Sequence, residues 1–253
     1  MILFPAIDLL GGKVVRLKRG DRAQVDVYAD DPVAVARDFA GRGARWVHVV
    51  DLSSAFEEDG ESRAANDRAL RAICAVGGIK VDVGGGVRTL ERIEELAAAG
   101  ASRIALGTVL VRDPELARAA AARFGDLLVA DVAARDGQVA VNGWREEARI
   151  GADELVGNLA SMGFRHLVFT DIARDGMQSG VNAEAYRRVA RTAGFPVVAS
   201  GGIATLDDIE ALAALGADVV EGAITGRALY EGAFTLEEAL AVARDVRREG
   251  EPC

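Results

Sequence analysis

The sequence predicts an α/β protein and, within that class, a closed (β/α)8 TIM barrel with a two-half internal repeat. Residues 84–101, GGGVRTLERIEELAAAGA, match residues 200–217, SGGIATLDDIEALAALGA, at 11 of 18 positions without a gap, 116 residues further along the chain. Both segments pass from paired glycines through Thr-Leu into a helix-periodic run that stops at Gly-Ala. A repeat of this length indicates a fold made of two similar halves.

Short apolar strands recur at matching places in the two halves. Each ends in Asp or Gly, and stretches with helical spacing, such as residues 32–41 and 155–163, lie between them. Alternating strands and helices predict a parallel sheet, and eight such units predict its closure into a barrel, with an open doubly wound sheet as the alternative. The matched strands are residues 2–7 and 127–130, 46–50 and 167–170, and 103–106 and 219–224.

Length and composition fit one barrel domain. The chain has 253 residues, half of them hydrophobic, and no linker-like segment divides it; a barrel of this type has about 250 residues. We therefore expect a single domain over residues 1–253, with half-barrels of about 1–123 and 124–253. The connection formed by residues 11–28 is long for a βα loop and carries five basic residues, so we expect it to be mobile without ligand. Those residues are Lys13, Arg16, Lys18, Arg19 and Arg22.

Composition also limits which binding partners and which cellular compartment we expect for the protein. The longest apolar runs have strand length, which argues against a membrane span, and the N-terminus lacks the basic region of a signal peptide. A net charge of -9 argues against nucleic acid and anionic membranes as partners. Cys74 and Cys253 are too few for a disulfide framework, so we expect a cytoplasmic protein. We also expect the protein to be a monomer. His48 and His166 fall inside predicted strands without zinc-like spacing, so no metal is expected.

The active site of such a barrel lies at the carboxyl ends of its strands. Two glycine-rich sets stand there, and backbone N–H groups at glycine turns and helix N-termini bind phosphate. We call them the first and second cradles and expect each to hold one phosphate of an elongated ligand. The first consists of Gly85, Gly86, Arg88, Gly107 and Thr108, and the second of Ser200, Gly201, Gly202, Gly226 and Arg227.

Four aspartates end predicted strands. Asp8 and Asp131 end strands one and five, on opposite sides of the barrel, where two carboxylates in different environments can divide the roles of acid and base. Asp51 and Asp171 lie off this diameter, and for them capping of a turn is an equally good interpretation. Because the chain shows neither a nucleophile–base arrangement nor a dinucleotide fingerprint, we expect proton transfer on a bis-phosphorylated ligand without a cofactor.

The motifs resemble those of one family over the whole chain, the phosphoribosylformimino-aminoimidazole carboxamide ribotide (ProFAR) isomerases of histidine biosynthesis. The resemblance rests on PAIDLLGGKVVRL (5–17), VDVGGGVR (81–88), GTVLVRDP (107–114), DGQVAVNGW (136–144), TDIARDGMQSGVN (170–182), VVASGGI (197–203) and GRALYEG (226–232). It implies an aldose–ketose isomerase that performs an Amadori rearrangement. It also implies that both the substrate and the product carry two phosphates.

The resemblance further implies residue roles. Asp8 matches the general base and Asp131 the general acid, while Thr170 assists near the reacting ribose. Arg16 and Trp144 match residues on loops that close over the substrate, and Asp171 falls among the substrate-binding positions. The chain departs from the family pattern at Ser53-Ser54, Met177 and Val181, which concerns the loops that set substrate preference.

Three alternative functions are considered, each with a sequence feature that separates it from the isomerase. An ammonia-using barrel synthase of the same pathway begins with a Cys-Leu-Asp strand, whereas this chain has Ile7-Asp8 after Pro5-Ala6. A dual-substrate isomerase that also acts on phosphoribosyl anthranilate tends to carry Arg two residues before the loop tryptophan, where this chain has Asn142. A barrel that binds a sugar phosphate without catalysis has no use for an opposed pair of aspartates.

Overall fold

The structure, a computed structural model, describes residues 1–18, 21–177 and 179–245. A 3-10 turn, Gly125–Leu127, precedes the seventh strand. The strands and helices follow in chain order as β1 Ile2–Leu10, β2 Lys13–Lys18, β3 Asp21–Ala29, α1 Pro32–Gly41, β4 Trp46–Asp51, α2 Leu52–Ala55, α3 Gly60–Cys74, β5 Lys80–Gly84, α4 Leu90–Ala98, β6 Arg103–Leu106, α5 Thr108–Arg112, α6 Pro114–Phe124, β7 Leu128–Arg135, β8 Gln138–Val141, β9 Glu146–Gly151, α7 Ala152–Asn158, β10 Leu167–Asp171, α8 Ala183–Ala193, β11 Val197–Ser200, α9 Leu206–Ala213, β12 Val220–Thr225, α10 Arg227–Tyr230 and α11 Leu236–Asp245.

Eight of these strands form a closed parallel barrel. The order around it is β1, β4, β5, β6, β7, β10, β11, β12, and β12 pairs with β1 again. The contact between β7 and β10, in which Thr170 lies beside Ala133, completes the ring. The predicted (β/α)8 barrel is therefore confirmed. Arg19, Gly20 and Cys253, named in the sequence predictions or motifs, lie outside the described residues.

The other four strands form two antiparallel hairpins that correct the expected strand ends. The described part of the connection at 11–28 forms two strands: β2 pairs with β1, placing Val15 opposite Asp8, and β3 pairs with β2. Likewise β8 pairs with β7, placing Ala140 opposite Ala133. Because these partners continue the hydrogen-bond ladder, β1 and β7 run past Asp8 and Asp131 instead of ending there.

The internal repeat corresponds to a repeated strand–turn–helix unit. The hydroxyl of Thr89 accepts a hydrogen bond from the N–H of Arg92 at the start of α4. The hydroxyl of Thr205, 116 residues later, does the same for the N–H of Asp208 at the start of α9. Such N-caps satisfy backbone donors that a helix leaves unpaired, which explains the Thr in both copies.

One helix boundary differs from its prediction. The helix expected at 155–163 is α7, Ala152–Asn158. Beyond Asn158 the chain makes turns, in which the N–H of Gly163 donates to the carbonyl of Ala160. The predicted helix at Pro32–Gly41 is confirmed. No helix in the described ranges is both long and apolar enough to cross a membrane.

The barrel interior is filled by small apolar side chains and a polar floor. The Phe4 and Trp46 rings pack in a tilted arrangement with their centroids 5.4 Å apart, and the Arg103 guanidinium lies 4.9 Å from the Trp46 ring centroid. Arg103 also donates to the Glu221 carboxylate at 2.5 Å. This group closes the amino-terminal end of the barrel, leaving the carboxyl end open. The apolar layer above it consists of Ala6, Ala105, Val129, Val168, Val198 and Ile224.

We expect Gly222→Ala to destabilise the fold by about 1–3 kcal/mol, the usual cost of overpacking a core. A Cβ at Gly222 would lie 2.6 Å from the Phe4 ring and 2.8 Å from the Ile2 carbonyl oxygen. Urea denaturation gives the free energy of unfolding. The matched control is Gly41→Ala, where no atom lies within 4 Å of the added methyl group; this variant keeps or gains stability because Ala favours a helix. Equal effects of the two substitutions would contradict the packing argument.

Candidate active site

An open pocket lies at the carboxyl end of the barrel. Its wall includes Asp8 and Asp131, on strands β1 and β7, which face each other across the barrel. Among the described residues that line the pocket, Asp171 is missing. The other predicted site residues are all present: Asp8, Arg16, Gly85, Gly86, Arg88, Gly107, Thr108, Asp131, Trp144, Thr170, Ser200, Gly201, Gly202, Gly226 and Arg227.

Asp8 is paired with an arginine. Arg16 Nη1 lies 2.5 Å from Asp8 Oδ2, and Nη2 donates to the Ala6 carbonyl. The guanidinium lies 4.9 Å from the centroid of the Tyr230 ring. Arg16 lies on strand β2 and not on a loop, and its side chain is buried in the pocket wall. Such contacts hold both the carboxylate and the guanidinium in fixed orientations.

Asp131 lies in a different environment. Burial raises its pKa to about 6, the charge of His48 opposes that rise, and the charge of Asp82 adds to it. Its neighbours across β6 and β10 are apolar or backbone, with Val168 in register beside it. A carboxyl with a pKa in this range carries a proton for part of the time near neutral pH.

Asp175 is a pocket residue that the strand-end rule missed. Burial raises its pKa to about 6, Asp8 adds to the rise, and Arg16 opposes it. It follows β10 by four residues, and its N–H donates to the Asp171 carbonyl at 3.0 Å. This turn brings Asp175 back into the pocket wall. The motif at residues 170–182 contained the residue, but position along the strand pointed to Asp171 instead.

Asp51 and Asp171 support the cradles from behind. A Cβ at Gly85 would lie 2.4 Å from the Asp51 carbonyl oxygen, and one at Gly201 would lie 2.6 Å from the Asp171 carbonyl oxygen. The Asp51 carboxylate caps α2 through the Ser54 N–H and accepts from Asn66 Nδ2 at 2.6 Å. The Asp171 carboxylate lies 3.5 Å from Arg174 Nε. These contacts fit the capping interpretation. The Asp171 side chain, for which we expected a binding role, is not among the described residues that line the pocket.

The two cradles have matching backbones. Gly85 and Gly86 have φ values of 95° and 69°, and Gly201 and Gly202 have values of 91° and 92°. Glycine adopts this left-handed region without the steric cost that other residues incur. Helix α5 then begins after Gly107 and α10 after Gly226, and neither residue has a side chain to cap the first N–H groups. Both ends of the pocket thus offer backbone donors to an anion.

An arginine accompanies each cradle. Arg88 donates to the carbonyls of Ser54 and Ala55 at 3.2 and 3.3 Å. Arg227 donates to the Gly176 carbonyl at 3.0 Å and to the Glu231 carboxylate at 2.5 Å. The backbone contacts anchor both guanidinium groups at the pocket rim, where each also pairs with a carboxylate, Arg88 with Glu57 and Arg227 with Glu231.

The β8–β9 hairpin reaches over the pocket. Asn142, Gly143 and Trp144 all have positive φ values, of 54°, 63° and 63°, a conformation that is strained for the two non-glycine residues. The N–H of Asn142 donates to the Thr108 hydroxyl at 3.0 Å. A Cβ at Gly143 would lie 2.6 Å from the Phe56 ring. The hairpin tip is thereby joined to the first cradle, with Trp144 in the pocket wall.

His48 also lines the pocket, although its sequence pattern indicated only a strand histidine. It is buried, and Nδ1 lies 2.9 Å from Asp82 Oδ2 on the neighbouring strand. His166 lies at the barrel floor, where Nδ1 is 3.3 Å from Glu221 Oε2. The described ranges contain no group of three His, Cys, Asp or Glu residues that could hold a metal ion.

We expect crystals grown in sulfate or phosphate to hold one anion near Gly85 and Gly107 and a second near Gly202 and Gly226. The physical reason is the matched set of free backbone donors at the two ends of the pocket. Diffraction data of a resolution at which ordered water molecules are visible would locate both anions. A single anion, or anions at the amino-terminal end of the barrel, would contradict the two-cradle arrangement.

Comparison with known proteins gives this geometry a family. Residues 2–235 match the model of a family described as "Histidine biosynthesis protein". Three bacterial relatives, from Moorella thermoacetica, Desulfitobacterium hafniense strain Y51 and Heliobacterium modesticaldum, share the name 1-(5-phosphoribosyl)-5-((5-phosphoribosylamino)methylideneamino) imidazole-4-carboxamide isomerase.

The likeness extends over nearly the whole chain. The Moorella protein is 50% identical over 97% of this chain and 99% of its own length. The Desulfitobacterium protein is 49% identical over 96% and 97%, and the Heliobacterium protein is 43% identical over 100% of both chains. With a family match over residues 2–235 and relatives of this similarity, the chain belongs to the histidine biosynthesis protein family.

Proposed function

We propose that this protein is the isomerase of histidine biosynthesis that converts the bis-phosphorylated aminoaldose in its relatives' names into the corresponding aminoketose. The name of that substrate contains two phosphoribosyl groups, hence a phosphate at each end. The observation that carries the proposal is the position of Asp8 and Asp131 on opposite walls between two matched cradles. A substrate held by both cradles passes over both carboxyls.

Ring opening is the first step. The protonated carboxyl of Asp131 donates to the ribose ring oxygen, the bond from that oxygen to C1′ breaks, and the nitrogen lone pair forms a Schiff base. The raised pKa of Asp131 supports this role because a donor must hold a proton near the working pH. Thr170, which lines the pocket on the strand beside β7, is proposed to assist at the reacting ribose.

Proton abstraction is the second step. The Asp8 carboxylate removes the C2′ proton, which gives an enolamine. The enolamine gains a proton at C1′ and loses its enol proton, giving the ketone and returning both carboxyls to their starting states. Arg16 holds Asp8 in place, and Trp144 on the hairpin keeps water away from the intermediates when the site closes.

The remaining predictions concern substrate range and context. We propose one substrate, since Asn142 donates its side-chain amide to Glu146 at 2.8 Å and leaves the hairpin without the arginine of dual-substrate relatives. Ser53 accepts from the Gly11 N–H and Ser54 donates to Asp51, so both departures serve the loop scaffold. We further propose a cytoplasmic monomer that works as one domain without nucleic acid, membrane or cofactor.

The test is an absorbance assay of the purified protein with the bis-phosphorylated aminoaldose, without glutaminase or ammonia. Turnover to the aminoketose supports the proposal. Binding by titration calorimetry without turnover would instead indicate the non-catalytic barrel, and turnover of phosphoribosyl anthranilate would indicate the dual-substrate isomerase. A need for ammonia would indicate the synthase.

We expect Asp8→Asn to lower kcat by roughly 10²–10⁴, the contribution of general acid–base catalysis, while binding of the bis-phosphate stays close to normal. Asparagine keeps the shape but cannot take the C2′ proton. The matched control is Asp126→Asn, an exposed aspartate at the opposite end of the barrel, just before β7. Near-normal turnover in Asp8→Asn would remove it as the base.

We expect kcat to fall on both sides of a pH optimum. Ionisation of Asp131 above its pKa removes the donor and produces the alkaline limb, whereas the acid limb arises where the base is no longer able to take the C2′ proton. Asp131→Asn should remove the alkaline limb together with most activity, as measured by initial rates over a pH series. If Asp131→Asn keeps the wild-type rate and profile, the acid is another group, and Asp175 is the next pocket carboxyl.

A further inference from the structure

A buried histidine–aspartate pair lies directly beneath the proposed active site. His48 on β4 and Asp82 on β5 are in register, with Nδ1 and Oδ2 2.9 Å apart. His48 pairs with Ala6 of β1, two residues below the level at which Val50 pairs with Asp8. The imidazole therefore forms part of the pocket floor, within the layer otherwise filled by small apolar side chains.

Stability does not account for this pair. His48 is 7% exposed and Asp82 2% exposed, and removing two ionisable groups from water costs more than apolar side chains of the same size would. Asp82 Oδ1 is buried and has no hydrogen-bond partner in the described part of the chain. An oxygen left in this way is unfavourable. The pair thus calls for an explanation in the site above it.

The charged groups that face His48 come from several strands, and one of them is a cation: Arg103 of β6, in register with Asp82, lies over the Trp46 ring below His48. Asp82 of β5 lies beside it, while Asp131 of β7 and Asp8 of β1 lie above it, and all three favour its protonated form against the opposing effect of burial. Arg16 of β2 is bound to Asp8, and Asp175 lies in the opposite part of the pocket wall. The net result is that the pKa of His48 is raised above its ordinary value.

We propose that His48, held by Asp82, is a positioning residue that determines when Asp131 carries its proton. The inference rests on the proposed role of Asp131 as the acid. Burial favours the protonated Asp131 carboxyl, whereas a protonated His48 in the same pocket stabilises the carboxylate that remains after proton donation. The pair thereby lets a buried acid both release its proton and recover it during each turnover.

The two histidines of the chain allow a direct measurement. In an NMR titration of the imidazole signals, assigned with His166→Gln, we expect His48 to stay protonated above about pH 6.5, where an ordinary histidine loses its proton. Asp82→Asn and Asp131→Asn should each lower the pH at which His48 titrates, because each removes a facing negative charge. A neutral His48 at pH 7, or a titration unchanged by both variants, overturns the proposal.

The kinetic test uses His48→Gln, which retains a hydrogen-bond donor toward Asp82. The alkaline limb of kcat should move up by about one pH unit, because Asp131 then keeps its proton to higher pH, while KM stays unchanged. The matched control, His166→Gln at the barrel floor, should leave the limb in place. An alkaline limb at the wild-type position in folded His48→Gln contradicts the inference.

The two parts of the test separate this inference from the proposed function. If the wild-type protein shows no turnover with the bis-phosphate, the proposed function fails, yet the effect of Asp131→Asn on the His48 titration still tests the coupling. If turnover is normal and the two histidines titrate independently of Asp131 and Asp82, the inference alone fails. Should His48→Gln not fold, the titrations of the wild-type protein and of Asp82→Asn decide.

Discussion

The site depends on a close backbone contact that occurs twice. The turn after β5 presses Gly85 against the Asp51 carbonyl, and the turn after β11 presses Gly201 against the Asp171 carbonyl. No other residue fits there, since a Cβ would overlap backbone that cannot move without disturbing a barrel strand. Because both turns are fixed by neighbouring strand ends, the two cradles have a set separation, and a substrate that fills both must cross the barrel mouth.

That path places the reacting sugar between two carboxyls of the same type with different surroundings. Asp8 Oδ2 accepts a hydrogen bond from Arg16, whereas burial raises the pKa of Asp131. In the proposed mechanism, environment and not residue type divides the roles of base and acid, as is common in sites that run both reactions near neutral pH. Closing the Trp144 hairpin would strengthen this difference by excluding water.

Sequence reasoning reached the barrel, the cradles and the opposed aspartates because each follows from position along the chain. The half-repeat marks the strand–turn–helix units, and strand ends mark the mouth of a parallel barrel. Asp175 and His48 escaped because their places depend on a turn and on register between strands: Asp175 folds back onto Asp171, and His48 meets Asp82 across β4 and β5. Hairpin strands were missed for the same reason, since their pairing partner decides where β1 and β7 end.

The hairpins also show how a repeated fold became chemically asymmetric. In the first, Val15 lies opposite Asp8, and Arg16, one residue further along, brings its guanidinium to Asp8. In the second, Ala140 lies opposite Ala133, but β8 ends at Val141 and the turn that begins at Asn142 leaves this register before it reaches Asp131. The residue after Asn142 is Gly143, which has no side chain to bring to Asp131. The protonation of Asp131 is therefore left to burial and to the charges beneath it, so the second carboxyl can serve as an acid while the first serves as a base.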